Sequence, residues 1–294
     1  MMKDKESGVA LIQVLLISTI ISLMAIQFSH TSRHQVITAK NIVERENVRL
    51  ESYSLLNMAI FTLLAHDLHI YENDSSYLLE LQKLRTEGQY ISNANNAKIK
   101  VQDIGGLLPI YHPYHPLWLK YLAGLGYDLE TSKSIIQYLK DVQDEDKLSK
   151  NGFEPEMNAK GLQYLNRPFQ TKTEVQNYLG IYPKLKDNVD KHIHHYGIYS
   201  VSLLESPEFI IKSVIKDSFI GGKINEQLVH SQKNTQYISD FINSVQMEDA
   251  LTTFPSTFKR ISIELETTDL HWTESVDVQL SGLSIPPYQL IGRE

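Results

Sequence analysis

Six carboxylates crowd the stretch "KDVQDEDKLSKNGFEPEM": Asp141, Asp144, Glu145, Asp146, Glu154 and Glu156. Hard oxygen donors gathered around a glycine, here Gly152, suit Ca²⁺. Lys140, Lys147 and Lys150 are interleaved and lower the local negative potential. The same composition also suits a solvated acidic loop, so both readings stand. Histidines gather in "HPYHP" (His112, His115) and "HIHH" (His192, His194, His195). Imidazole binds Zn or Cu, but no neighbouring carboxylate or cysteine completes a set there, and surface histidines are expected. The absence of cysteine removes disulfides, thiolate metal sites, cysteine nucleophiles and lipoprotein anchors together. No nucleophile elbow, Walker loop or nicotinamide fingerprint occurs, and "FIGGKI" has too few glycines at the needed spacing. The chain therefore reads as a non-enzyme that requires no cofactor.

The elements that must carry these residues begin with an apolar helix. Val9 to Phe28 holds no formal charge, and about twenty residues at about 1.5 Å each cross the hydrocarbon of a bilayer. A secretory signal has a shorter apolar region followed by a small-residue cleavage site, which "IQFSHTSRHQV" does not supply. The polar leader "MMKDKESG" is short, its charges cancel, and it ends in Gly8 against the apolar run. From Thr31 to Ala65 there is no Gly or Pro, so the helix continues past the membrane. Val36, Ala39, Val43, Leu50, Tyr53, Asn57, Ile60 and Leu64 recur at three- and four-residue spacing, which predicts a stripe packed against a globular head. The net formal charge of -7 disfavours bulk binding to phosphate backbones.

In the head, "AKIKVQDIGGLLPI" alternates and then breaks at Gly105-Gly106, a strand followed by a turn. Pro116 to about Ala250 reads as successive short helices, with N-caps at Thr171 or Thr173, Ser206 with Pro207, and Ser239, and with Gly126 and Gly180 as stops. "FKRISIELETTD" and "SVDVQLSGLSI" return to period two, and "YQLIGRE" is a short final strand. Strand, many helices, then strands predicts an α+β fold, with a large helical domain inserted into an antiparallel sheet.

These fragments, in this order, resemble the K-type minor pseudopilins of type II secretion systems. "GVALIQVLLIS" resembles their processed helix, and the short leader ending in Gly8 resembles the substrate of a prepilin peptidase. Most pilin-like proteins carry Glu at the fifth residue after the cut, where it pairs with a neighbouring subunit's amine. Gln13 stands there, as suits a subunit with no neighbour above it. "VQDIGGLLPI" resembles the family's first strand with its Asp–x–x–Gly turn, matched by Asp103 and Gly106, although the usual Asn-Leu-Asn is missing. "LNRPFQTKTEVQNYLGI" and "YSVSLLESPEFIIKSVI" resemble two later helix-opening segments.

The resemblance implies a pilin-like long helix, a β-sheet and a large inserted α-domain. It implies a leader of residues 1–8 cut after Gly8, a methylated amine on Val9, and a helix over 9–70 that spans the inner membrane over 9–28. The sheet would begin in 71–110, the helical domain fill 111–250, and the closing strands lie in 251–294. The head would be periplasmic. The partners implied are minor pseudopilins I and J, the major pseudopilin and the peptidase, with this subunit capping the tip and initiating the filament for protein export. Calcium in the α-domain would fall to Asp141, Asp144, Asp146, Glu154 and Glu156, with Pro155 replacing one acidic residue of the family's pattern. Two alternatives come from neighbouring classes. One is a type IV pilus minor pilin. The other is a membrane-anchored DNA-uptake protein, suggested by the helix-hairpin-helix look of 215–245; Lys216, Lys223 and Lys233, with Lys212 just before them, are offset by Asp217, Glu226 and Asp240, so no nucleic acid is expected.

Overall fold

The computed structural model describes residues 4–67, 85–92, 97–111, 113–145, 165–215, 235–244, 249–267, 270–281 and 285–293. The chain opens with α1 (Asp4–Asp67), an unbroken helix about 95 Å long. Among the described residues its buried side chains lie in the C-terminal third. There Val48, Ser52, Leu55, Leu56, Ala59, Ile60 and Leu63 are buried, at the four-, seven- and eight-residue steps of one helix face.

That face lies on a five-stranded antiparallel sheet of order β1-β2-β7-β8-β9. Its members are β1 (Glu87–Ser92), β2 (Ala97–Asp103), β7 (Phe258–Glu266), β8 (His271–Leu280) and β9 (Tyr288–Arg293). Period-two alternation sends Ala97, Ile99 and Val101, Ile261, Ile263 and Leu265, and Val276, Val278 and Leu280 to the α1 side, where they form one core. The opposite face carries Lys98, Lys100, Arg260, Ser262, Glu264, Ser275 and Asp277. Strands β2 and β7 are adjacent with Asp103 opposite Lys259, so everything between them is an insertion. This is the α+β arrangement that the order of patterns predicts.

The insertion holds a second core built around Trp118, Tyr121, Ile135, Leu139, Leu179 and Phe241. It contains α2 (His115–Gly124), α3 (Leu129–Gln143), α4 (Lys172–Leu179), α5 (Pro183–Lys186), α6 (Val189–His192), α7 (Glu208–Ile215) and α8 (Thr235–Ser244). Two parallel ladders of two residues each tie it together: β3 (Leu108–Pro109) with β4 (Ile193–His194), and β5 (Val201–Ser202) with β6 (Leu251–Thr252). None of these short strands, nor β1, α5 or α6, is signalled by periodicity, because two to six residues hold too few repeats.

Capping decides where the helices start. The Thr171 hydroxyl accepts from Glu174 N at 3.2 Å, as its position predicts, while Glu174 reaches back to Gln170 N at 2.9 Å. Helix α3 starts at Leu129, because Asp128 takes the cap and accepts from Thr131 N at 2.9 Å. Two other expected caps are corrected. Ser206 donates backward to Ser202 O at 2.9 Å, and Ser239 lies inside α8. Gly126, at φ +81, ends α2 in the left-handed region, whereas Gly180 ends α4 with helical φ -63. The helix expected at 222–232 lies outside the described residues.

Candidate interaction surface

From Leu11 to Asn47 no side chain of α1 is buried. The helix is long and apolar enough to cross a membrane, and among the described residues nothing buries its most apolar stretch. Three of its hydroxyls are turned inward: Thr19 donates to Leu16 O at 2.8 Å, Ser22 to Ser18 O at 2.8 Å, and Thr31 to Gln27 O at 3.0 Å. That is how a helix carries Ser and Thr through hydrocarbon without bare donors. Gln13 is exposed on this segment, and Gly8 and Val9 fall in the first turns of the helix.

The predicted stripe is corrected here. Val36, Val43, Leu50 and Tyr53 are 69, 59, 68 and 49% exposed, Ala39 and Asn57 are exposed too, and Leu64 is half-buried. Ile60 alone belongs to both the stripe and the buried face. The sheet takes the face that carries Val48, Leu55, Leu56, Ala59 and Leu63, on which Ser52 also donates to Glu274 Oε2 at 2.7 Å in a buried setting. Glu274 Oε1 lies 2.6 Å from Arg293 Nη2, an ion-pair distance without hydrogen-bond alignment. Positions 36, 43, 50, 57 and 64 with 39, 53 and 60 form a heptad seam on α1, interrupted at Glu46.

Two polar knots fix the insertion to the sheet. Buried Asp103 accepts from Gly105 N at 2.7 Å and Ser256 N at 2.9 Å, and it pairs with Lys259 Nζ at 2.5 Å. The chain thus leaves and rejoins the sheet at one carboxylate. Gly106 is required beside it, since a Cβ there would stand 2.2 Å from the Glu205 carbonyl oxygen. In the second knot, Arg260 donates to Asp277 through Nε at 2.7 Å and Nη2 at 2.9 Å, Tyr196 Oη donates to the same carboxylate at 2.7 Å, and Arg260 Nη1 reaches Asp190 O at 3.2 Å. Burial alone would raise the Asp277 carboxyl, but the Arg260 hydrogen bonds and charge outweigh it and hold the group below the usual range.

The expectation of surface histidines fails at two of three positions. His192 and His194 are buried, and His195 is half-buried. His192 stacks on Phe209 at 5.0 Å, and its Nδ1 lies 3.2 Å from Tyr121 Oη; burial lowers it to about 4. Among the described residues neither nitrogen of His194 has a well-aligned hydrogen-bond partner, and burial, aided by His195 and Arg260, lowers it to about 3. Their ring faces, not their charges, are what the fold uses. His112 and the His115 side chain lie outside the described residues.

Of the acidic cluster, Asp141 is buried and accepts from Gln137. Asp144 ends α3, its N–H donating to Lys140 O at 3.0 Å. Asp146, Glu154 and Glu156 lie outside the described residues, as does 216–234 with most of the helix-hairpin-helix stretch. Among the described residues no three acidic or histidine side chains are placed to share a metal.

No family model matches the chain, and no curated protein matches it in sequence. Among solved structures it is similar to a chain of the GspK-GspI-GspJ complex of the type 2 secretion system from enterotoxigenic Escherichia coli. The TM-score is 0.58 at 9% identity, over 87% of this chain and 98% of that one. In fold the chain is GspK-like. At this identity the likeness is one of fold and not of side chains.

Proposed function

We propose that the chain is a minor pseudopilin of a type II secretion system. It is cut after Gly8, bears a methylated Val9 amine, and is held in the inner membrane by α1 with its head in the periplasm. It assembles with minor pseudopilins I and J and with the major pseudopilin, and it caps the tip of the pseudopilus. The observation that carries the reading is the bare part of α1, whose exposed apolar side chains run far beyond what a bilayer alone would cover. Some 55 Å of helix stands free, of which about 30 Å is hydrocarbon-length. The remainder, Val36 to Leu50, needs another helix, and the heptad seam offers one a place. The fold shared with a chain of a complex that also contains GspI and GspJ supports the same partners.

No reaction is assigned to the chain. The division at residues 8, 70, 110 and 250 belongs to this proposal, as does Ca²⁺ uptake by the acidic stretch after α3. The test co-expresses the chain with a prepilin peptidase and the I- and J-type pseudopilins. Intact mass should show loss of residues 1–8, blocked by Gly8→Ala. The head should co-purify with both partners, and Val43→Glu, at an exposed site, should abolish this without lowering the melting temperature. An uncut chain, or wild-type assembly by Val43→Glu, refutes the reading.

A further inference from the structure

A cleft of about 220 Å³ opens between the polar face of the sheet and the inserted domain. Its roof is the start of α4 with His195 and Tyr196, and its floor is Arg260, Ser275 and Asp277. It opens at β9, the edge strand of the sheet. Leu290 and Ile291 of that strand are 47 and 39% exposed, and among the described residues no strand pairs with its outer side. We propose that this cleft and edge bind an extended, carboxylate-bearing segment of a second protein, which adds to β9 as a further strand and places an acidic side chain in the cleft.

Three observations converge on that occupant. First, an edge strand presents a row of backbone donors and acceptors to an incoming chain. A strand added there sends alternate side chains over each face, so main-chain bonds supply affinity and the cleft supplies selection. Second, the floor is open where β9 would fill it. Gly292 faces the cleft opposite Asp277, and a Cβ built on it would meet Tyr196 Oη at 3.6 Å and Asp277 Cβ at 3.8 Å, ordinary contacts with room beyond. Third, the charge selects the ligand. Lys172 and Arg260 line the cleft against one carboxylate, Asp277, which Arg260 already holds, while Arg293 sends its guanidinium to Glu274 and over the Tyr53 ring of α1. Lys100 on the same sheet face registers the surplus: burial first, then repulsion from Arg260, Lys191 and Lys172, lowers its ammonium against the opposing pull of Glu264. The Lys172–Asp190 pair is a 3.3 Å contact between partly exposed groups. Lys172 can turn to a ligand at small cost. In a chain of net charge -7, this concavity runs against the trend. The inference does not depend on the secretion reading.

The test uses the full chain in detergent and two fluorescent hexapeptides, capped at both ends, one alternating valine with aspartate and the other valine with lysine. Anisotropy should show the aspartate peptide binding at least about tenfold more tightly, as opposite charge at a partly desolvated contact predicts. Amide exchange in 288–293 should slow on binding. Lys172→Gln should weaken binding about tenfold. Gly292→Val suits a strand and should keep the melting temperature while filling the cleft and weakening binding by a similar factor. Should Gly292→Val misfold, Lys172→Gln decides alone. Equal binding of the two peptides, failure of the aspartate peptide to bind, unchanged exchange in β9, or full binding by a folded variant overturns the proposal.

Discussion

Replacing Lys259 by methionine tests the knot through which the inserted domain leaves and rejoins the sheet. Methionine keeps the length of the stem and removes the ammonium, so the change isolates charge from packing. The Lys259 and Asp103 side chains are 7 and 0% exposed. Removing one partner of such a pair leaves a buried charge and costs about 3–5 kcal/mol. Asp103 keeps its donors from Gly105 N, Ser256 N and Ser256 Oγ, which places Lys259→Met near about 3 kcal/mol. Asp103→Asn is worse, about 4 kcal/mol, because the amide turns an NH₂ toward donors that need an acceptor and leaves the ammonium with Ser256 O, 2.8 Å away. The double variant should cost clearly less than the sum, by about 2 kcal/mol or more, since no unpaired charge then remains. Urea unfolding of the four proteins, followed by tryptophan fluorescence, reads all three values. Strict additivity, or a Lys259→Met cost below about 1 kcal/mol, would show that the pair is hydrated rather than buried and would refute this account of the junction.

Acid should weaken the head in a definite window. His192 and His194 have folded values of about 4 and about 3, below the unfolded imidazole near 6.5. The unfolded chain therefore takes protons first, so stability is full above about pH 6.5 and is lost as pH falls toward those values. The gap at His192 corresponds to about 3 kcal/mol; urea midpoints should drop between pH 7.5 and 4.5, and His194→Leu should flatten the slope. Leu56→Ala, at a 3% exposed site on the sheet side of α1, should cost about 3 kcal/mol, whereas Leu50→Ala at 68% exposure should stay within about 0.5 kcal/mol. Equal costs in thermal melts would mean that the helix rests on the other face. Calorimetry of the full chain in detergent should show Ca²⁺ uptake that Asp144→Ala and Asp146→Ala reduce at least about tenfold; no heat of binding would leave the cluster a solvated loop.

Much of the architecture was legible because the long elements carry many repeats. The apolar run and the Gly- and Pro-free stretch to Ala65 announce α1, and period two announces β2, β7 and β8. Thr171 and the Asp103 turn are local chemistry written in a few residues. The face of α1 was not legible. Val36, Val43 and Leu50 begin one apolar stripe, but Val48, Leu55, Leu56, Ala59 and Leu63 make another, and the sheet takes the second, where Ser52 meets Glu274 from 222 residues away. The histidines fail for a related reason: a polar residue type suggested the surface, while aromatic stacking beside Phe209 and Tyr196 put the rings inside. The cleft beside β9 left no signal, because its walls come from five separate segments and its floor depends on a glycine that sequence alone cannot place.

The adjacency of β2 and β7 has a consequence for how the chain becomes a protein. Asp103 and Lys259 are 156 positions apart, so pairing those strands from an open coil closes a loop whose entropy term is about 4–5 kcal/mol. The inserted helices change that term. They have their own core, and their short ladders join Leu108 to Ile193 and Val201 to Leu251. Once they collapse, the two ends of the loop are delivered side by side, and the sheet needs only to zip. The helical domain is thus expected to fold first and to template the sheet, while α1 waits for a surface that exists only after the last strand has emerged. During that interval the longest apolar helix of the chain has no seat on its own head, and only the bilayer or another subunit can hold it.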